Sequence, residues 1–283
     1  MMETLTRHLI EHPNPSVRYL ALTELRGCDP RDARVRAVRD AIPEVPPVRT
    51  ILDAQYPAGY WMHPDLGVSP RYRATVWQVL FLAQLGVGPI APVARAVAYL
   101  LDANVDAGGA FHLIQGSKGR SPALTGALLW ALARMDLADD PRLTRSWAWL
   151  EDRWEAGALA LPDRVWVLRA AAAWGWEGWA ARLMPDLELE PPGPLIFPVT
   201  HQPDALARAE AWCEARPLTP GTSIPPGGRH VRDGLLASVQ REPEGGWPLA
   251  RVPGTLWFDP GPVGDPNPWV TVRVLRVLRC LSR

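Results

Sequence analysis

One pattern recurs along this chain and constrains its fold more than anything else in it. An apolar pair is followed by a polar side chain, then by a glycine two places before a bulky residue. Ile51, Leu52, Asp53, Ala54 and Gln55 return as Leu100, Leu101, Asp102, Ala103 and Asn104, 49 residues later. Another 49 residues brings Trp149, Leu150, Glu151, Asp152 and Arg153. A weaker fourth copy is Leu236, Ala237, Ser238, Val239 and Gln240. After them come Gly59 and Trp61, Gly109 and Phe111, Gly157 and Leu159, and Gly245 and Trp247. An apolar pair ends a helix, the polar side chain caps backbone groups, glycine supplies the turn, and the bulky residue plugs back between neighbours. Such a unit cannot bury its own apolar face and must stack on copies of itself.

A second register marks a helix after each turn. Thr75, Val76 and Trp77 begin a run over 75–86, and 125–136, 164–175 and 271–282 have the same length. The stretch 16–27 fits the same frame, and 204–213 supplies the member missing from the widest gap. Pro15, Pro70, Pro122, Pro162, Pro203 and Pro268 lie close to the six starts, where a missing N–H costs little. The intervening stretches 91–101, 141–154 and 230–240 are helical by apolar spacing. No alternating strand of useful length appears, and 195–199 is short and interrupted by Pro198. The expectation is an all-α single domain over 1–283, built from about six helix pairs. Long loops are expected near 185–203 and 218–229.

Composition narrows what such a fold does. Lys+Arg and Asp+Glu are both 30, so no broad basic surface exists and a nucleic-acid partner is not expected. The three cysteines, Cys28, Cys213 and Cys280, are far apart with no C-x-x-C, which argues against a disulfide framework. The first ten residues lack the apolar core of a signal peptide, and no apolar run reaches a transmembrane length. A cytoplasmic address follows as the default. Tryptophan is the outlier, with 14 copies. Indoles are large, and each buried one needs a partner for its N–H, so this density implies recurring sockets.

Two architectures suit stacked helix pairs: an open superhelix and a closed ring. Pro13, Asn14, Pro15, Ser16, Val17 and Arg18 look like the start of a HEAT helix. The turn from Gln55 through Gly59 to Trp61, with a near match from Gln240 through Gly245 to Trp247, resembles the QW motif of the squalene cyclase and protein prenyltransferase superfamily. The segments 69–86, 121–135 and 267–281 also look like inner helices of small bacterial members. The resemblance spans nearly the whole chain and implies an α/α toroid of about six inner and outer helix pairs. It implies a hydrophobic, isoprenoid-like ligand in a central cavity.

The chemistry of that superfamily is not visible in the residues. A class II terpene cyclase needs a D-x-D-D acid, and the nearest string, Asp136 to Asp140, reads better as a turn before Pro141. The D-D-x-x-D magnesium motif is missing. Cys213, Asp204 and His230 are the components of a zinc site without its local D-x-C spacing, and a buried helix cysteine is the simpler reading. No metal or other cofactor is expected. His63 and Asp65, just after Trp61, are a candidate acid and base, with loop solvation as the plain alternative. Asp163 is a candidate general acid that reads first as an N-cap. Arg73, Arg164 and His230 could form an anion-holding rim. Tyr72, Trp77, Trp130, Trp166 and Trp269 are the candidate walls of an aromatic cavity, whose π faces suit a polyene or a carbocation. Three functions remain open: a toroid that binds an isoprenoid and can act on it; a non-catalytic scaffold with a filled ring; and a sugar-processing (α/α)6 enzyme using Asp65, Asp163 and Asp265. The first two are separated by whether the inner tryptophans line open space or pack into one another.

Overall fold

The structure, a computed structural model, describes residues 1–64, 68–112, 119–239 and 245–282. Among the described residues there are thirteen α-helices and no strand, only isolated bridges such as Ile196 with Arg251. They are α1 (Met2–Ile10), α2 (Pro15–Leu20, continued by a π-helical turn over Ala21–Leu25), α3 (Ala33–Asp40), α4 (Val48–Asp53), α5 (Thr75–Gln84), α6 (Ala91–Ala103) and α7 (Pro122–Arg134). The rest are α8 (Arg142–Glu155), α9 (Leu161–Trp174), α10 (Glu177–Leu183), α11 (Ala205–Ala215), α12 (Gly227–Ala237) and α13 (Pro268–Leu281). Among the described residues no helix is long and apolar enough to cross a membrane.

The six runs marked by the second register are α2, α5, α7, α9, α11 and α13. Three of them start earlier than the threonine and arginine positions indicate, because the prolines occupy the first helical turn. Pro122 follows Ser121, whose Oγ accepts from the Leu124 N–H at 3.2 Å, and Pro268 follows Asn267, whose side chain accepts from the Val270 N–H at 3.1 Å. In α5, every residue from Thr75 to Ala83 is buried, as an all-round apolar helix requires. By contrast α8 buries a single stripe through Leu143, Trp147 and Leu150. The short helices α1, α3 and α10 were not legible in the sequence. The loop expected over 218–229 ends early, since α12 already begins at Gly227.

The repeat has a physical basis in one reused socket. In three of the four copies the backbone N–H of the bulky residue donates to a threonine hydroxyl in the first turn of the next register-marked helix, each at 3.1 Å: Trp61 to Thr75, Phe111 to Thr125 and Trp247 to Thr271. The two indoles also donate back to the helix before the turn, Trp61 to the Ile51 carbonyl at 2.7 Å and Trp247 to the Leu235 carbonyl at 2.6 Å. Gly59 (φ +99°) and Gly109 (φ +95°) lie against the backbone of α6 and α8, where a Cβ would stand 2.6 Å from the Arg95 oxygen and 2.3 Å from the Arg145 carbonyl carbon. Glycine is therefore required twice over, by conformation and by space. Gln55 donates to the Gly59 and Pro92 carbonyls at 3.1 and 2.9 Å, tying the turn to the start of α6. Gln240, its counterpart in the fourth copy, lies outside the described residues.

Five of the six helices pack in chain order: α5 on α7, α7 on α9, α9 on α11 and α11 on α13. The last returns to the first, for α13 packs on α2 and its π turn, and the Trp269 indole donates to the Ser16 hydroxyl at 3.0 Å. The same hydroxyl donates to the Leu85 carbonyl at the end of α5 at 2.7 Å. Against these pack α6 on α5, α8 on α7, α10 on α9 and α12 on α13. One cluster of buried apolar side chains runs through all of them, from Leu5 to Leu281.

Candidate functional site

One small space is lined from all six of these helices, and its walls are charged as well as aromatic. Glu24 on the π turn, Arg134 on α7, Arg169 on α9, Glu210 on α11 and Arg273 and Arg276 on α13 reach it, with Gln84 of α5 and the aromatic rings of Trp130, Phe197 and Trp269. It holds about 30 Å³. That is room for a water or two, against roughly 300–1,000 Å³ for a site that encloses an organic ligand.

The charges form a balanced network. Arg273 pairs with Glu210 at 2.9 Å and Asp204 at 3.0 Å, and Arg276 with Glu24 at 2.9 Å and Glu214 at 3.0 Å. Arg276 also contacts Glu210, and Arg134 contacts Glu24. Arg169 holds Glu214 through two bonds, at 2.9 and 3.0 Å, and touches Glu210 at 3.5 Å. Four guanidinium groups thus face four carboxylates. Burial by itself would raise the Glu210 carboxyl, but Arg273, Arg276 and Arg169 outweigh it and hold it well below the usual range. Glu24 follows the same logic: burial opposes ionisation, and Arg276 and Arg134 prevail.

The segment 195–200, from the loop between α10 and α11, fills the space beside the network. Phe197 stacks on Trp269 with ring centres 5.4 Å apart and planes 5° from parallel. The Gln84 amide donates to the Val199 carbonyl and accepts from its N–H, both at 2.8 Å. Trp166 donates to the Thr200 carbonyl at 3.1 Å, and Arg273 to the Ile196 carbonyl at 2.6 Å. The expected long loop at 185–203 is therefore present, with part of it built into the core.

The candidate residues divide sharply by position. Trp77, Trp130, Trp166 and Trp269 are all buried and pack into neighbours. Trp130 meets Trp166 edge to face at 5.6 Å, and the Arg169 guanidinium stands over both rings. Trp77 donates to the Val68 carbonyl at 2.8 Å and contacts the rings of Tyr72 and His201. Asp163 is a cap: one oxygen accepts from the Ala160 N–H at 2.9 Å and the other from the Ala123 N–H at 2.8 Å, so a single carboxylate holds the starts of α9 and α7. His63 is exposed in the loop after Trp61, and Asp65 lies outside the described residues. Arg164 pairs with Asp186 at 3.4 Å, Arg73 stacks on Trp257 at 3.9 Å, and His230 is exposed on α12. Asp204 and Cys213 are taken up by Arg273 and Cys280, and no metal-sized group of His, Cys, Asp and Glu occurs among the described residues. We expect Asp163→Ala to lower stability by about 2 kcal/mol without changing the folded far-UV spectrum, since two helix starts lose their acceptor. A loss under 0.5 kcal/mol in chemical denaturation would mean that the cap is idle.

A second, polar pocket of about 180 Å³ lies against the 195–200 segment. Arg71, Tyr72, Thr200, Gln202, Asp204 and Arg251 line it. Among the described residues neither Arg71 nor Arg251 pairs with a carboxylate, while the Asp204 charge is already met by Arg273. His201, just behind, is pushed down to about 4 by burial and further by the charge of Arg71, so it is neutral at pH 7. Of these residues only Tyr72 and Asp204 stood out in the sequence, neither of them for an anion site, because exposed arginines carry no pattern. The buried network did leave a trace: single charges inside apolar runs, as at Arg169, Glu210, Arg273 and Arg276. Compared with known protein families and with curated proteins, the chain matches none.

Proposed function

We propose that this chain is a closed ring of six helix pairs with a filled centre, a non-catalytic binding module that captures an anionic group, phosphate or carboxylate, in the polar pocket bounded by Arg71 and Arg251. The contact of α13 with α2 supports the ring over an open superhelix, whose ends would not meet. The observation that carries the binding reading is a pair of guanidinium groups without a carboxylate partner among the described residues, over a pocket whose one lining carboxylate is already neutralised. The non-catalytic reading rests on Asp163, the candidate general acid, being occupied by two backbone N–H groups.

One observation favours the isoprenoid reading as a second. Phe197 lies on Trp269 as a ligand ring would, and withdrawal of 195–200 would uncover walls of Trp130, Trp166 and Trp269. Tryptophan fluorescence titrations with inorganic diphosphate, citrate, a prenyl diphosphate and a squalene-like polyene separate the two. The expected result is saturable binding of diphosphate or citrate, weakened by salt and at least about tenfold by Arg251→Ala, with no response to the polyene. Quenching by the polyene, or a prenyl diphosphate binding far more tightly than diphosphate, would replace this reading with the isoprenoid one. No binding by any of the four would sink both and leave a scaffold.

A further inference from the structure

Helices α11 and α13 carry, beside the ion network, a pair of thiols that the sequence keeps 67 positions apart (280 less 213). The facing surfaces are fixed by named contacts. Glu214, next to Cys213, pairs with Arg276, one turn before Cys280. Arg216, just past the end of α11, donates to the Cys280 carbonyl at 3.0 Å. These two anchors bring the Cys213 and Cys280 side chains beside each other, both half-buried and both unbridged.

Their surroundings make the two sulfurs unequal. The neighbouring Cys213 thiol is the largest influence on Cys280 and, with Arg216 and Arg276 nearby, brings that thiol down to about 7 against the resistance of burial. Burial pushes the Cys213 thiol up. Near neutral pH one sulfur is thus substantially thiolate and the other holds its proton. Neither thiol lines the proposed anion pocket, so their chemistry is independent of anion binding there.

We propose that Cys213 and Cys280 are an oxidisable dithiol, which a hydroperoxide converts to a disulfide joining α11 to α13. The Cys280 thiolate attacks one peroxide oxygen, the O–O bond breaks, and the departing hydroxide takes a proton to leave as water. The resulting sulfenic acid is attacked by the Cys213 sulfur as it gives up its proton. The S–S bond forms, the S–O bond breaks, and a second water leaves. Two thiols lose two electrons and two protons to one hydrogen peroxide, which becomes two waters. The bridge would lock two helices that the ion network already clamps, turning a salt- and acid-sensitive joint into a covalent one.

The test uses the whole chain and hydrogen peroxide, followed by denaturation, alkylation of remaining thiols, intact mass and peptide mapping. The expected result is a loss of two mass units from the polypeptide, protection of two of the three thiols, and a linked peptide pair containing Cys213 and Cys280, all reversed by dithiothreitol. Cys28 stays alkylated. Without peroxide, alkylation of the native protein near pH 7.5 should modify Cys280 about tenfold faster than Cys213. In Cys213→Ser, Cys280 should stop at a sulfenic acid that dimedone traps; should that variant fail to fold, the wild-type map still decides. A bridge that includes Cys28, or three alkylated thiols after peroxide, would overturn the proposal.

Discussion

Glu210→Gln should lower stability by about 3–5 kcal/mol, because the change keeps the shape of the side chain and removes one of the four buried carboxylates. Three guanidinium groups meet at Glu210, and all three would then share too little negative charge in a place that water barely reaches. At about 2–4 °C per kcal/mol for a chain of this size, the melting temperature should fall by roughly 10 °C. The pH dependence supplies a sharper check. A carboxyl whose folded pKa is depressed contributes its full stabilisation above its unfolded value and loses it as pH falls towards the folded one. Glu24 and Glu210 are both depressed from an ordinary value of 4.5, so wild-type stability should decline below that pH. The variant should decline less steeply there. If the two proteins melted alike at pH 7 and lost stability in parallel on acidification, the network would be a bystander. Replacing the network with apolar side chains of equal volume is a different experiment, and it need not destabilise.

Trp61→Ala should cost a similar amount, about 3–5 kcal/mol, by a different mechanism. The indole is fully buried and donates to the Ile51 carbonyl at 2.7 Å, so truncation leaves a cavity and removes that bond, with only the 3.3 Å bond from the Ala54 N–H remaining on the carbonyl. Trp61→Phe should cost less than half as much. The second socket shows why: Phe111 fills it with the same backbone bond to a threonine and no indole N–H at all. Equilibrium denaturation of both variants checks the ranking. Equal losses would mean that the hydrogen bond outweighs the volume, and a loss below 1 kcal/mol in the alanine variant would show that the socket does not carry the fold.

How far the sequence reached depends on which forces act locally. Positions of α5, α6, α7, α8, α9, α11, α12 and α13 were legible, since apolar spacing, N-terminal prolines and cap residues are properties of neighbouring positions. The sockets were legible as a repeat, because Gly59 and Gly109 answer to backbone clashes that no other residue tolerates. Their threonine partners were noted only as helix starts, although Thr75, Thr125 and Thr271 each receive a backbone N–H. Tryptophans on inner helices looked alike in sequence whether they faced a cavity or one another. A side chain's identity limits its size and its hydrogen bonds, but what stands opposite is set by helices from elsewhere in the chain.

That division runs through the functional reading. From the order of its residues alone, the protein was bound to be helical, repetitive and rich in indole sockets, because each of those traits follows from contacts within one turn or between adjacent repeats. Tertiary structure alone decided that Glu24 meets Arg276, that residues 195–200 occupy the space beside them, and that Cys213 comes to lie beside Cys280. Charges and thiols act over a few ångströms of space with no periodicity along the chain, so their partners are fixed only when distant helices pack.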